Sequence, residues 1–226
     1  MTGLSESGMP MGGAENVPVQ PHPQSWRLLL TLGGAGALAG LLIVLAYDWT
    51  RPRIDAHNAK LLRAAIEEVL HSPQRTDTIY LDQGALTDKP AAATDRSKLD
   101  RIYKGYAADG HVLGYAISTS EAGFVDQIGL IIGYDPAQKQ VLGLKILSSK
   151  ETPGLGDKIE RPTFTAQFAS RIAPLVGVKG KVPSGDKSAI EMITGATISS
   201  RTVIREINNA AKRWQPLLEK YQRGQK

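Results

Sequence analysis

Thr197, Ser199 and Ser200 crowd the segment MITGATISSR at 192–201, and hydroxyls at that spacing can serve two kinds of chemistry. Val203, Ile207, Ala210, Ala211 and Trp214 recur downstream at helical spacing, which puts the hydroxyls in the first turn of a helix. Backbone N–H groups there have no partner inside the helix. The hydroxyls can cap those groups. Alternatively, the N–H groups and the positive end of the helix dipole can hold a phosphate, with the small residues Gly195 and Ala196 letting it approach the backbone. Local pattern leaves both readings open. Thr194, just before Gly195, carries a further hydroxyl.

A second stretch, ETPGLG at 151–156 followed by Asp157 and Lys158, comes just after an apolar strand-like run. Pro153 stiffens the turn, and Gly154 and Gly156 can take backbone angles that leave N–H groups facing a ligand. An ordinary structural turn fits the same residues. His22, His57, His71 and His111 are scattered, so no histidine metal site is expected.

Composition narrows the chemistry. The chain has 226 residues, 42% hydrophobic and 22% charged, enough for one medium-sized domain with a core. It contains no Cys, which excludes disulfides, thiolate metal sites and Cys-ligated iron–sulfur clusters. Redox chemistry here must therefore use an organic cofactor or a metal held by N and O ligands. The net charge of +5 is spread along the chain without basic-aromatic interleaving, so no nucleic-acid partner is expected.

The elements that must position these residues follow in order. Residues 1–25 are rich in Gly, Pro, Ser and Gln and read as a disordered tail. Residues 28–47 carry no charge and are bracketed by Trp26, Tyr47 and Trp49. They predict an uncleaved transmembrane helix over 26–49. Residues 50–98 read as a juxtamembrane helix, with Leu61, Leu62, Ala65, Ile66, Val69 and Leu70 on one stripe, and then an irregular connection from Thr76. Two hairpins are expected next, 102–107 with 112–118 and 125–134 with 140–147. A helix over 162–172 should bury Phe164 and Phe168, and a loop over 176–187 leads back to the Thr197 helix. The fold class is α+β: one N-terminal transmembrane helix, then a single domain over 99–218 with a mainly antiparallel sheet flanked by helices, and a flexible tail over 219–226.

Taken together and in this order, ETPGLG and TGATISS resemble the covalent-flavin subunits of membrane redox pumps. These are RnfG (RsxG) of the Rnf/Rsx electron-transport complex and its relative NqrC of the sodium-pumping NADH:quinone reductase. The resemblance runs from the membrane segment to about Trp214. It implies an FMN-binding domain in which the flavin phosphate is esterified to the second Thr of the (S/T)-G-A-T motif, here Thr197. A separate magnesium-dependent flavin transferase makes that bond from FAD. Glu151, Thr152, Gly154, Leu155, Gly195 and Ala196 are implied to lie against the flavin. Family members usually carry a His two positions before the Glu; here that position is Ser149, which weakens any role for an imidazole. The implied function is an electron relay in a complex that couples ferredoxin:NAD oxidoreduction to ion translocation, with the other Rnf subunits as partners. The implied location is the bacterial inner membrane, single-pass, with the FMN domain in the periplasm. Arg51 and Arg53 after the span against Arg27 before it favour the reverse orientation by charge. The alternatives are an NqrC-like subunit, a membrane-anchored module that binds a free phosphorylated ligand without redox chemistry, and a structural anchor in which Thr197 is an ordinary cap.

Overall fold

The computed structural model describes residues 25–91 and 95–224, and the chain divides into two units, Met1–Ile54 and Asp55–Lys226. The tail expected over 1–25 lies outside the described residues except for Ser25, which begins the first helix. That helix, α1, runs Ser25–Val69 without interruption.

In the first unit, α1 is the one helix among the described residues long and apolar enough to cross a membrane, with a mean hydropathy of 2.3 over its most apolar window. The apolar stretch of this helix is flanked by cation–aromatic pairs suited to an interface: Arg27 lies 5.6 Å from the Trp26 ring, Arg51 5.9 Å from Tyr47 and Arg53 5.6 Å from Trp49. The sequence predicts a break near Pro52 between two helices. Instead Pro52 lies inside α1, because a proline within a helix removes a single backbone hydrogen bond and kinks the helix more readily than it ends it.

The second unit is built on a seven-stranded antiparallel sheet. Its strands are β1 (Arg75–Asp82), β2 (Ala85–Thr87), β3 (Arg101–Tyr106), β4 (Val112–Ala122), β5 (Gln127–Asp135), β6 (Gln140–Ser148) and β7 (Arg171–Ile172), in the order β2-β1-β3-β4-β5-β6-β7. The two expected hairpins are β3–β4 and β5–β6. β1 and β2 fall where the sequence suggests an irregular connection. β1 reads RTDTIYLD, and of its side chains Ile79 alone is fully buried, so the strand has too short an apolar face to be seen without its partner β3.

Strand alternation divides the sheet into two apolar faces. Ile102, Tyr115, Ile117, Leu130, Ile132 and Val141 point into the main core. Against them lies α3 (Thr197–Gly224), which buries Val203, Ile207, Ala210, Ala211, Trp214 and Leu218. Leu218 and the half-buried Tyr221 pack on this core, so the helix continues through Gly224 where a tail from 219 is expected. On the opposite face Ala116 and Ile131 meet Ala65, Ile66, Val69 and Leu70 from the end of α1.

That second contact depends on a row of small residues. Ala116 pairs with Gly133, and Gly133 with Gly143, across three neighbouring strands. A Cβ at Gly133 would stand 2.1 Å from the Val69 carbonyl oxygen and 3.1 Å from Leu142 Cβ. Neither obstacle is the end of a flexible side chain. Gly133→Ala is therefore expected to lower stability by about 3 kcal/mol, measured as a fall in the urea midpoint of the detergent-solubilised chain. An unchanged midpoint would mean that the α1 end does not rest on this row.

Between β6 and α3 the chain is short-segmented. Phe164 and Phe168 are buried edge to face with centroids 5.2 Å apart, as core residues. The helix expected over 162–172 is only α2 (Pro162–Thr165) and a 3-10 turn to Phe168. Ser170 at φ +63° then turns the chain into β7. The expected 176–187 loop opens with β8 (Val176–Val178), which pairs in parallel with β9 (Ala189–Glu191) and delivers the chain to α3.

Candidate functional site

The turn before α3 is fixed by its own backbone. Gly195 takes φ +84°, a conformation that costs glycine little and other residues considerably more. Ser200 then ties the turn to the helix. The Ile193 N–H donates to Ser200 Oγ at 3.1 Å, and the Ser200 hydroxyl donates to the Ala196 carbonyl at 2.9 Å. Ser200 thus braces the turn against the helix, and Thr197, the first residue of α3, is half-buried and without a hydrogen-bond partner for its hydroxyl among the described residues. The N–H groups of Thr197, Ile198 and Ser199 have no backbone acceptor among the described residues, as the first turn of a helix requires.

The ETPGLG loop reaches this helix end through Glu151. Its Oε2 accepts the Ser199 hydroxyl at 2.6 Å, and its Oε1 accepts the N–H groups of Phe124 at 2.8 Å and Val125 at 3.1 Å. One carboxylate therefore joins three segments distant in sequence: the β4–β5 connection, the ETPGLG loop and the start of α3. Two glycines make room for it. A Cβ at Gly123 would lie 2.4 Å from Glu151 Oε1, and one at Gly156 2.7 Å from Glu151 Cβ. Burial pushes the Glu151 carboxyl up, but the Ser199 hydroxyl and the N–H groups of Val125, Phe124 and Asp126 together outweigh it and hold the group below its ordinary value. Glu151 is ionised at neutral pH. At Ser149, its hydroxyl accepts the Glu151 N–H at 3.3 Å and so shapes the loop's entry.

These parts enclose a cavity of about 260 Å³ lined by Phe124, Glu151, Thr152, Leu155, Gly156, Gly195, Ala196, Thr197, Ile198 and Ser199. Six of the seven site residues expected from sequence meet on this wall. Gly154 stands outside it at φ +76° and shapes the turn. The sequence reading missed Phe124 by running a strand from Val125; β5 starts at Gln127, and Phe124 and Val125 sit in the preceding loop with 64% and 59% of their surface exposed. Two apolar side chains between a Gly and an Asp were the available signal. Floor and rim differ in character. The floor offers N–H groups and hydroxyls, whereas Phe124, Leu155 and Ile198 are exposed apolar side chains at the rim. A phosphate fits the floor and the flat face of an aromatic ring system fits the rim, which is the division of polarity that FMN presents.

The family model of the FMN-binding domain matches residues 123–212, from the glycine beside Glu151 to the middle of α3. The G-subunit of the ion-translocating oxidoreductase complex of Cereibacter sphaeroides is 30% identical over 181 residues, covering 79% of each chain. The chain belongs to this family of G-subunits of ion-translocating oxidoreductase complexes. With an FMN-binding domain and an apolar helix of membrane-spanning length, this member of the family is a membrane-associated flavoprotein of electron transport. The G-subunit of the Na(+)-translocating ferredoxin:NAD(+) oxidoreductase complex of Acetobacterium woodii is 27% identical over 201 residues, covering 85% of this chain and 94% of its own. In fold the chain is similar to the crystal structure of Shewanella oneidensis NqrC, with a TM-score of 0.55 at 18% identity over 72% of this chain and 92% of that one.

Proposed function

We propose that this chain is the covalent-flavin relay of an Rnf-type complex, with FMN joined through its phosphate to Thr197 Oγ1. The observation that carries this reading is the free Thr197 hydroxyl on the cavity floor, beside three N–H groups without backbone acceptors among the described residues. Attachment from FAD balances simply. The pyrophosphate bond breaks, the FMN phosphorus bonds to Thr197 Oγ1, and AMP leaves with the hydroxyl proton. The phosphodiester keeps one negative charge, which the helix N-terminus stabilises. Once bound, the flavin supplies the electron chemistry; the protein holds its phosphate, orients its ring against Phe124, Leu155 and Ile198, and sets the electrostatics around it. The partners are the other Rnf subunits, which supply the ion path and the ferredoxin:NAD chemistry, and a flavin transferase for maturation. The two sequence relatives named above, both G-subunits of ion-translocating oxidoreductase complexes, favour this assembly over an NqrC-type one.

The test is intact mass and in-gel flavin fluorescence under denaturing conditions, on the chain co-expressed with an active flavin transferase. Fluorescence that survives denaturation, with a mass gain of FMN less one water, is expected. Absence of both signals reduces the site to a reversible phosphate seat or a helix cap.

The flavin domain is assigned to the periplasm, where a tether prevents loss of a cofactor that cannot be recaptured. Because the chain has no Cys, Ser184→Cys in an exposed turn gives a single reporter thiol. A membrane-impermeant maleimide is expected to label it in intact spheroplasts. Labelling only after permeabilisation would place the domain in the cytoplasm, as Arg51 and Arg53 favour by charge.

A further inference from the structure

We infer that the Glu151 carboxylate sets the reduction potential of the flavin in this cavity, acting as a fixed negative charge that holds the potential down. The inference rests on the flavin reading of the site. Three observations carry it. Glu151 is 5% exposed, so water and salt screen it weakly. It lies on the cavity wall with Thr197, so its charge is felt by whatever fills the cavity. Its oxygens are held in place by Phe124 N–H, Val125 N–H and the Ser199 hydroxyl, with Gly123 and Gly156 closing on either side. The charge cannot swing away when the cavity fills. Among the described residues no basic side chain is paired with it: its partners are backbone N–H groups and one hydroxyl, which offset the charge without cancelling it.

An electron delivered into the cavity adds negative charge beside this carboxylate and is disfavoured by it, whichever part of the flavin lies nearest. Removing the charge therefore favours the reduced cofactor. Removing one of the donors that offset the charge does the opposite. Glu151 is thus a positioning and tuning residue: it holds the three segments of the wall together and biases the flavin toward giving electrons up.

The two effects separate in a pair of variants. Glu151→Gln keeps the side-chain shape and still offers an oxygen to Phe124 and Val125, while the Ser199 hydroxyl can turn to accept from the new amide. Ser199→Ala keeps the charge and deletes a donor. Wild type and both variants, each co-expressed with flavin transferase, are first checked for flavin that survives denaturation and then titrated spectroelectrochemically. The potential is expected to move to a more positive value in Glu151→Gln and to a more negative value in Ser199→Ala. Equal potentials in all three proteins overturn the inference, and so does a shift of both variants in the same direction, which marks a general disturbance of the site. A wild type without covalent flavin overturns the relay reading itself, and this inference with it.

Discussion

Thr197→Ala is expected to abolish covalent flavin completely, whereas Thr194→Ala, Ser199→Ala and Ser200→Ala are each expected to retain it. The four hydroxyls lie within seven residues, yet the fold gives them different work. Ser200 is fully buried and both accepts from the Ile193 N–H and donates to the Ala196 carbonyl. Ser199 is 3% exposed and donates to Glu151. Thr194 is exposed in the turn and outside the cavity lining. Thr197 alone combines a place on the cavity wall with a hydroxyl that has no other partner among the described residues. The measurement is denaturing in-gel fluorescence with intact mass across the four variants, scored against far-UV circular dichroism to show that each has folded. Ser200→Ala removes two hydrogen bonds of the turn and is expected to lower stability by about 1–3 kcal/mol while keeping its flavin. Flavin retained in Thr197→Ala and lost in Thr194→Ala would move the attachment point across the turn.

How far such a site could be read from sequence differs between its parts. The α3 stripe and the two central hairpins were legible because their periodicity is long and clean: Val203, Ile207, Ala210 and Trp214 along the helix, and an unbroken apolar run at 128–132 in β5. Local pattern could give ETPGLG and TGATISS each a turn with exposed N–H groups, but nothing in composition or spacing brings together two segments some 40 residues apart. The family resemblance did that, and Glu151 to Ser199 is the contact that realises it. Tertiary pairing hid the rest. β1 is a strand because β3 is there to pair with it, β2 because β1 is, and Ser170 in a left-handed conformation cuts short a helix whose apolar spacing looks continuous. The Phe124–Val125 loop is held outward by a carboxylate 26 residues further on. No local rule encodes that.

The same stripe hides a charge in the core. Glu206 lies three residues after Val203 and four before Ala210, so the helical period that buries those two also buries Glu206. It is 0% exposed, and neither carboxyl oxygen has a hydrogen-bond partner among the described residues. Burial pushes its pKa up to about 8, with the nearby Glu121 carboxylate adding to the shift and Arg205 opposing it. The sign of the consequence follows from proton linkage. Between its ordinary value of 4.5 and about 8 the folded chain holds a proton on Glu206 that the unfolded chain has lost. The folded state binds more protons, so stability falls as pH rises through that window and levels off above it. A single linked proton gives a slope of about 1.4 kcal/mol per pH unit at most. Glu151, Asp109, Asp126 and Asp186 shift the other way, and their contribution is present above their unfolded values and lost as pH falls through the lowered ones. The two trends place maximal stability near the lower edge of the Glu206 window. The urea midpoint of the detergent-solubilised chain is therefore expected to fall steadily from about pH 5 to pH 8. Glu206→Leu, which fills the site without a polar atom, is expected to flatten that profile and to exceed wild type at pH 8 by about 2–4 kcal/mol. A wild type as stable at pH 8 as at pH 5, with no gain from Glu206→Leu, would show that the carboxyl finds water or a partner when it ionises.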